Sequence, residues 1–335
     1  HMNNKLYTGN GNANHAITGV GFAPDFVWSK RRDGTNAHVL VDRVRGATKV
    51  LHSNSDTAEQ TCNANQDVQS LDSDGFTVGT PTQFLGTNTN GANICSWNWK
   101  ANGQGSSNTD GTINSTYTSA NTTSGFSIVT YTGTGSAGTV GHGLGTTPSM
   151  VWIFNRTDGG GTVFHKALGS TQYLLLSSTL GTQTYAPVGI GSLTSSTFSV
   201  GTVTGVNGSG KNYVAYVFAD VVGYSKCGNY TGNDNANGAF VYTGFKPSFV
   251  LIKRTNASDN WYIYDNKRDG YNVDNDDLHP NNTDAESTDD KIDLLSNGFK
   301  FRIANNDVNG NGDTYIYYAV GQSLVGSNNV PCTAR

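Results

Sequence analysis

Aromatic and charged side chains cluster in one stretch of the last third of the chain. Trp261, Tyr262 and Tyr264 lie in a short strand-like run in which Ile263 separates the two tyrosines. Successive side chains of a strand point to opposite faces, so both faces carry aromatics. An aromatic face can stack on a sugar ring, and neighbouring charged groups can bind its hydroxyls. The sequence therefore predicts a glycan-binding site made of Trp261, Tyr262, Tyr264, Lys253, Arg254 and Asp265. Two alternatives remain for Trp261: an interface between repeats, or a core position.

Charged residues also recur at fixed distances. Lys30 and Lys253 each follow a proline by six positions, and Asp42 and Asp265 follow the same prolines by eighteen. We expect each lysine to form an ion pair with its aspartate across adjacent strands. The alternative is polar contact with a sugar hydroxyl.

A calcium loop is suggested by only one segment. Asp307, Asn309, Asn311 and Asp313 resemble the start of a D-x-[DN]-x-[DN]-G loop. The twelfth position is Tyr318, where that loop needs a bidentate glutamate. A hairpin turn is therefore expected, with these four residues as weak candidates for Ca²⁺. A second acidic run, 274–290, is expected to be a solvated loop, with a bound Ca²⁺ as the alternative, and no other cofactor is expected.

Catalytic motifs are not evident. The sequence has no G-x-S-x-G elbow, no H-E-x-x-H pair and no P-loop. A glycosidase or lyase needs only two or three residues that the fold brings together, so such an activity stays an alternative. We expect a protein that is not an enzyme.

Composition excludes several classes of protein and partner. The 335 residues include 42 Gly, only 14% charged residues and 10% aromatics, which disfavours helical bundles and disorder. A net charge of −4 gives no electrostatic reason to bind nucleic acid, and no apolar run is long enough to insert into a membrane. Cys62, Cys95, Cys227 and Cys332 lack metal-ligand or disulfide-framework spacing, so we expect free thiols, which suit assembly in the host cytoplasm.

Four landmarks recur three times in the same order. Each copy begins with Tyr-Thr-Gly, continues with a proline before an apolar strand, then a phenylalanine 50 to 52 positions later, and ends with a Gly/Asn turn before an aromatic strand. The prolines are Pro24, Pro148 and Pro247, and the phenylalanines are Phe76, Phe198 and Phe299. Trp97, Trp99, Trp28 and Trp152 have aromatic or apolar counterparts in the other copies, so we expect them in the core.

The recurrence sets the expected domains. Repeat one covers 5–102, repeat two 124–221 and repeat three 227–325. The Gly/Ser/Thr/Asn-rich stretch 103–123 is expected to be a linker, and 326–335 a C-terminal tail. Short β-branched and aromatic runs with frequent turns predict an all-β fold of three tandem antiparallel sandwiches, with jelly-roll topology favoured. A homotrimer or a pseudo-threefold monomer is a further expectation.

Several runs resemble the repeat module of tail-associated proteins in tailed phages, especially marine ones. They are FSIVTYTGTGSAGTVGHGLG at 126–145, YVAYVFA at 213–219 with GYSK at 223–226, WYIYDNKR at 261–268, VPCTAR at 330–335, VRGATK at 44–49 and DSDGFTVG at 72–79. The resemblance covers nearly the whole chain and implies a virion fibre or tail protein. It carries no catalytic residue with it.

The expected function is therefore that of a non-enzymatic tail-fibre or tail-tip protein of the virion. Its expected partners are host cell-surface polysaccharide and other tail proteins. Three alternatives stay open: a polysaccharide depolymerase, a purely structural fibre or capsid-decoration segment, and a bacterial adhesin or carbohydrate-binding module.

Overall fold

The computed structural model describes residues 1–268 and 274–321. Strands dominate it, and the helical elements are one turn of 3₁₀ helix at Ala186–Val188 and one short helix, α1, at Thr204–Asn207. The expected all-β class is confirmed. The expected C-terminal tail and Cys332 lie outside the described residues.

The strands fall into three successive stretches of the chain. The first stretch contains β1 Met2–Thr8, β2 His15–Thr18, β3 Phe26–Arg31, β4 Val39–Asp42, β5 Gly46–Leu51, β6 Gln60–Thr61, β7 Val68–Asp72, β8 Gly75–Val78 and β9 Asn93–Trp99. The second contains β10 Ser106–Asn108, β11 Ser115–Asn121, β12 Phe126–Thr132, β13 Gly138–Gly141, β14 Met150–Asn155, β15 Gly161–His165, β16 Gln172–Leu175, β17 Gln183–Thr184, β18 Thr197–Val200 and β19 Asn212–Phe218. The third contains β20 Ser225–Thr231, β21 Phe240–Tyr242, β22 Pro247–Arg254, β23 Trp261–Asp265, β24 Asp274–Asp277, β25 Ser287–Leu295, β26 Gly298–Phe301 and β27 Thr314–Gly321.

The same strand order recurs in the three stretches. The larger sheets contain β1-β9-β3-β4, β12-β19-β14-β15 and β20-β27-β22-β23, all antiparallel neighbours. The smaller sheets are β2-β8-β7, β13-β18 and β21-β26-β25-β24. The strand that follows each landmark proline therefore pairs with the last strand of its own repeat. The jelly-roll label and the domain boundaries stay predictions.

One core is shared by all three repeats. It is lined by one face of each larger sheet and includes Trp28 and Trp97, Trp152 and Phe218, and Phe249. The opposite faces pack on the smaller sheets and form a separate core within each repeat. Trp28, Trp97, Trp99 and Trp152 are at most 1% exposed, so their expected core positions are confirmed. The repeats thus form one body around common apolar contacts.

A buried asparagine fixes the start of each repeat. Asn88, Asn207 and Asn309 have no exposed surface. Each side-chain oxygen accepts a backbone N–H just after Tyr-Thr-Gly, and each amide nitrogen donates to two carbonyls, one before and one after a pair of strands in the smaller sheet. The Tyr-Thr-Gly glycine is required because a Cβ at Gly9 would lie 2.2 Å from the carbonyl oxygen of Thr89.

The expected linker is wrong. Residues 103–123 contain β10 and β11, which extend the larger sheet of repeat two. The threonines and serines of β11 pair with β12, so the backbone of this stretch is hydrogen-bonded within the sheet and not to water. Composition could not distinguish these strands from a linker, because a polar edge strand and a flexible linker contain the same residue types.

Candidate functional site

The predicted aromatic strand is buried. Trp261, Tyr262 and Tyr264 are at most 2% exposed. Trp261 lies in the shared core, and its indole Nε1 donates a hydrogen bond of 3.0 Å to the carbonyl of Leu175 in repeat two. No sugar ring can stack on a side chain without an exposed face, so the predicted glycan site on these residues is wrong.

The charged members of that predicted site are also engaged within the protein. Lys253 is buried and donates to the carbonyls of Thr179 and Asp259 at 2.8 and 2.6 Å, and burial lowers its pKa to about 8. Arg254 forms an ion pair with Asp313 at 2.7 Å. These groups hold loops of the protein in place and are not presented to a ligand.

The expected lysine–aspartate pairs are not formed. In the sheet, Phe249 pairs with Asp265 while Lys253 pairs with Trp261, so this lysine and aspartate lie at opposite ends of the same two strands. Lys30 likewise donates to the carbonyls of Arg31 and Gly34. The aspartates instead bind an arginine three residues later.

These aspartate–arginine pairs lie at the interfaces between repeats. Asp42 and Arg45 have fully buried side chains and both bind the hydroxyl of Tyr216 in repeat two, at 2.7 and 3.0 Å. Asp265 and Arg268 are equally buried, and Asp265 accepts a hydrogen bond of 2.9 Å from the indole of Trp97 in repeat one. Each buried ion pair therefore connects two repeats.

Glutamates extend both networks. Glu59 bridges Arg45 and Arg156 of repeat two at 2.9 and 2.8 Å. Glu286 bridges Arg268 and Arg32 of repeat one at 2.9 and 2.6 Å. The arginines hold the pKa of Glu59 below its usual value despite the burial that raises it. These charges are structural, because each one faces a partner.

The calcium candidates do not form a ligand shell. Asn309 is the buried asparagine of repeat three, and its oxygen accepts the N–H of Asn233. Asp313 is paired with Arg254, and Asp307 accepts a hydrogen bond from Asn305. Asn311 is exposed. Within residues 1–268 and 274–321, no three His, Cys, Asp or Glu side chains are grouped closely enough to hold a metal ion.

The acidic run differs from a solvated loop. It contains β24 and part of β25, and Asp277 is buried against Lys291 at 2.7 Å. Asp276 binds Arg32 at 3.0 Å, and burial raises the pKa of this carboxyl to about 6. Cys62, Cys95 and Cys227 are free thiols, as expected.

The exposed aromatic residues of repeat three lie elsewhere. Phe240 and Tyr242 on edge strand β21 are 48% and 59% exposed, whereas Val241 between them is buried. The two rings therefore occupy the same solvent-facing side of the strand. We call Phe240 and Tyr242 the aromatic platform.

Grooves flank the platform on both sides. One has a volume of about 400 Å³ and is lined by both aromatics, Lys166, Lys226 and Asn229, among others. The other has about 330 Å³ and reaches from Tyr242 to the fully exposed Val222. The ammonium of Lys226 lies 5.3 Å from the Tyr242 ring centre and donates to that residue's carbonyl at 2.8 Å. Lys226 thus contacts both the backbone of β21 and one face of the Tyr242 ring.

The platform is unique to repeat three. Val241, Ile17 and Val140 pair with the landmark phenylalanines, which aligns the three strands. At the platform positions repeat one has Ala16 and Thr18, and repeat two has Thr139 and Gly141. The sequence contained this signal to within one position, because the phenylalanines follow Ile17, Val140 and Val241 by 59, 58 and 58 residues.

Comparison with known families places the whole body in one family. Residues 1–323 match the model of the family described as Domain of unknown function (DUF7483). The chain belongs to this family. The match spans all three repeats, in agreement with the core that they share. A search of curated proteins found no match. No helix in the described ranges is long and apolar enough to cross a lipid bilayer.

Proposed function

We propose that the chain is a non-enzymatic virion protein of a tailed phage, part of a tail fibre or tail tip, and that it binds host-surface polysaccharide through the aromatic platform. The observation that carries the binding proposal is the exposed pair Phe240 and Tyr242 beside two grooves. Exposed aromatics of this kind mark interaction sites, because water contact with them is unfavourable.

The chemistry of the platform suits a saccharide chain. A sugar ring offers an apolar C–H face and a rim of hydroxyls. The rings of Phe240 and Tyr242 accept the face, and the Tyr242 hydroxyl can exchange hydrogen bonds with the rim. Lys166 is paired with Asp220 at the groove edge, while the ammonium of Lys226 lines the same groove, so the groove can accept a neutral or an acidic sugar.

The three packed repeats suit a protein that presents a binding surface to its partner. Contacts run from repeat one to repeat two, from two to three and from three back to one. We propose that this arrangement is a pseudo-threefold body, which would match a threefold fibre in symmetry. The two buried ion networks and the shared core hold the platform on a rigid support, which favours recognition because little further ordering is needed on binding.

A binding assay with matched variants tests the platform. The full chain is applied to an array of bacterial polysaccharides, and Tyr242→Ala and Phe240→Ala are compared with Tyr185→Ala, whose ring is 52% exposed in repeat two. We expect the platform variants to weaken binding about tenfold, corresponding to roughly 1.4 kcal/mol, and Tyr185→Ala to leave it unchanged. Melting temperatures of all three should match the native protein. Equal binding by native and platform variants would refute this site.

Two further measurements test the remaining parts of the proposal. Reducing ends and unsaturated sugars are assayed after incubation with each bound polysaccharide, and we expect no release. Release would identify a depolymerase. Gold-labelled antibodies against the chain should bind the tails of virions of the encoding phage, and labelling of the capsid alone would identify a decoration protein.

A further inference from the structure

Among the described residues, the interface between repeats two and three lacks the ion network of the other two. The buried positions of Arg45 and Arg268 correspond to Leu168 at this interface, because His165 takes the place of the aspartates in the strand pairing. The glutamate position is Thr182. A backbone hydrogen bond identifies it: Glu59 N–H binds Arg156, Glu286 N–H binds Arg32, and Thr182 N–H binds Thr255 in the same way, at 2.9, 2.8 and 2.7 Å.

A cavity lies at this third interface. It has a volume of about 480 Å³, within the roughly 300–1,000 Å³ typical of small-molecule sites. Leu168, Thr182 and Thr255, which stand where the other interfaces have two arginines and a glutamate, all line it. Shorter neutral side chains thus leave open the space that arginine and glutamate fill at the other interfaces.

The lining is polar but carries no charged side chain within the described residues. Ala167, Leu168 and Ile316 provide an apolar wall. Gln172, Thr182 and Asn229 also line the cavity, and among the described residues the Gln172 amide nitrogen, the Thr182 hydroxyl and the Asn229 side-chain amide have no hydrogen-bond partner. These groups can both donate to and accept from a ligand.

We propose that this cavity binds an uncharged saccharide unit. A charged ligand would lose its hydration without meeting an opposite charge, which is costly. A purely apolar ligand would bury the free amides and hydroxyl without partners. A neutral sugar satisfies both requirements, with its C–H face on Leu168 and Ile316 and its hydroxyls on the polar groups. The neutrality of the ligand follows from the lining, while the choice of a saccharide rests on the proposed function.

The cavity and the platform groove share Asn229, which lines both. One polysaccharide chain could therefore place one unit on the platform and another in the cavity. Two sites on one chain raise the overall affinity through effective concentration. The cavity would then select a neutral unit at one position of a longer polymer.

Rebuilding the missing network tests the proposal. The double variant Leu168→Arg/Thr182→Glu introduces the pair that Arg45 and Glu59 form in repeat one at 2.9 Å. The probes are methyl glycosides of glucose, galactose, mannose and N-acetylglucosamine at millimolar concentration. Binding is measured by saturation-transfer NMR and calorimetry on the full chain. We expect at least one glycoside to bind the native protein and the double variant to weaken it at least tenfold.

A second variant covers failure of the first to fold. Thr182→Val keeps the shape of the side chain and removes its hydroxyl, and we expect binding to weaken several-fold. Tyr242→Ala should leave binding of the single glycosides unchanged. The cavity proposal would be overturned if none of the glycosides bound the native protein. It would also be overturned if the native protein and Thr182→Val bound them equally. Neither result decides the platform, which the polysaccharide array tests separately.

Discussion

The indole Nε1 of Trp97 in repeat one donates a hydrogen bond of 2.9 Å to the carboxylate of Asp265 in repeat three. Both residues are fully buried, and the same carboxylate binds Arg268. Asp265 thereby connects the first and last repeats of the chain.

We expect Asp265→Ala to destabilise the protein by about 3–5 kcal/mol, because Arg268 would keep a buried charge with one partner fewer. Trp97→Phe should cost less, about 1–3 kcal/mol for the lost hydrogen bond. Asp33→Ala is the control, since the Asp33–Arg31 pair is partly exposed and worth about 0–1 kcal/mol. Chemical denaturation measures all three. Similar losses for Asp265→Ala and Asp33→Ala would contradict the interface role.

Trp261→Ala should lower stability by about 3–5 kcal/mol, because it opens a cavity in the shared core. Polysaccharide affinity of the folded fraction should not change. Thermal melting beside the binding assay separates these effects, with Phe240→Ala as the exposed counterpart. Native-like melting combined with lost binding would restore Trp261 as a ligand residue.

Asn309→Ala should destabilise the protein by at least the cost of one buried unsatisfied group, about 1–3 kcal/mol, because its oxygen and nitrogen bind backbone groups of two segments. The exposed neighbour Asn311→Ala should change stability little. Urea titration compares the two variants. If both behave alike, the asparagine does not hold the sandwich together.

His165 should make the protein sensitive to acid. Burial lowers its pKa to about 4; its Nδ1 accepts the N–H of Ala167, and its Nε2 lies 3.1 Å from the carbonyl of Tyr317. The unfolded imidazole titrates near pH 6.5, so between about pH 6.5 and 4 the unfolded state binds more protons and stability falls as pH falls, by up to about 1.4 kcal/mol per pH unit.

The matched variant His165→Gln removes this titration while the buried His38 and His142 remain. Unfolding free energies of both proteins are measured from pH 7 to 4. The native protein should lose stability more steeply. Parallel curves would show that His165 does not titrate as proposed.

The sequence predicted the strand that follows each landmark proline and the burial of Trp28 and Trp152, because period-two patterns and recurrence report local geometry. For Trp261 it gave an interface between repeats only as an alternative to ligand contact, and the structure shows that interface. Because both faces of β23 carry aromatics, a second segment has to pack on this strand. That segment is Leu175 and its neighbours, about ninety positions away in repeat two. Contacts of this kind depend on how the repeats pack.

The prediction of lysine–aspartate ion pairs was wrong for a different reason. Equal offsets placed Lys253 and Asp265 on adjacent strands, yet the register separates them, and Arg268 reaches the aspartate across a tight turn. The aromatic platform was detectable, since Phe240 and Tyr242 have no counterparts in the other repeats, but recognising it required strand-level alignment of the repeats. Exposure itself could be read only from the structure.

Joining the three interfaces in one polypeptide frees each of them to diverge. In an assembly of three identical chains, a codon change from arginine to leucine would appear at every interface and would remove every buried ion network at once. In this chain Leu168 alters one interface while Arg45 and Arg268 remain at the others. A single polypeptide thus lets the three interfaces differ, so that two contain buried ion networks while the third contains the cavity lined by Leu168.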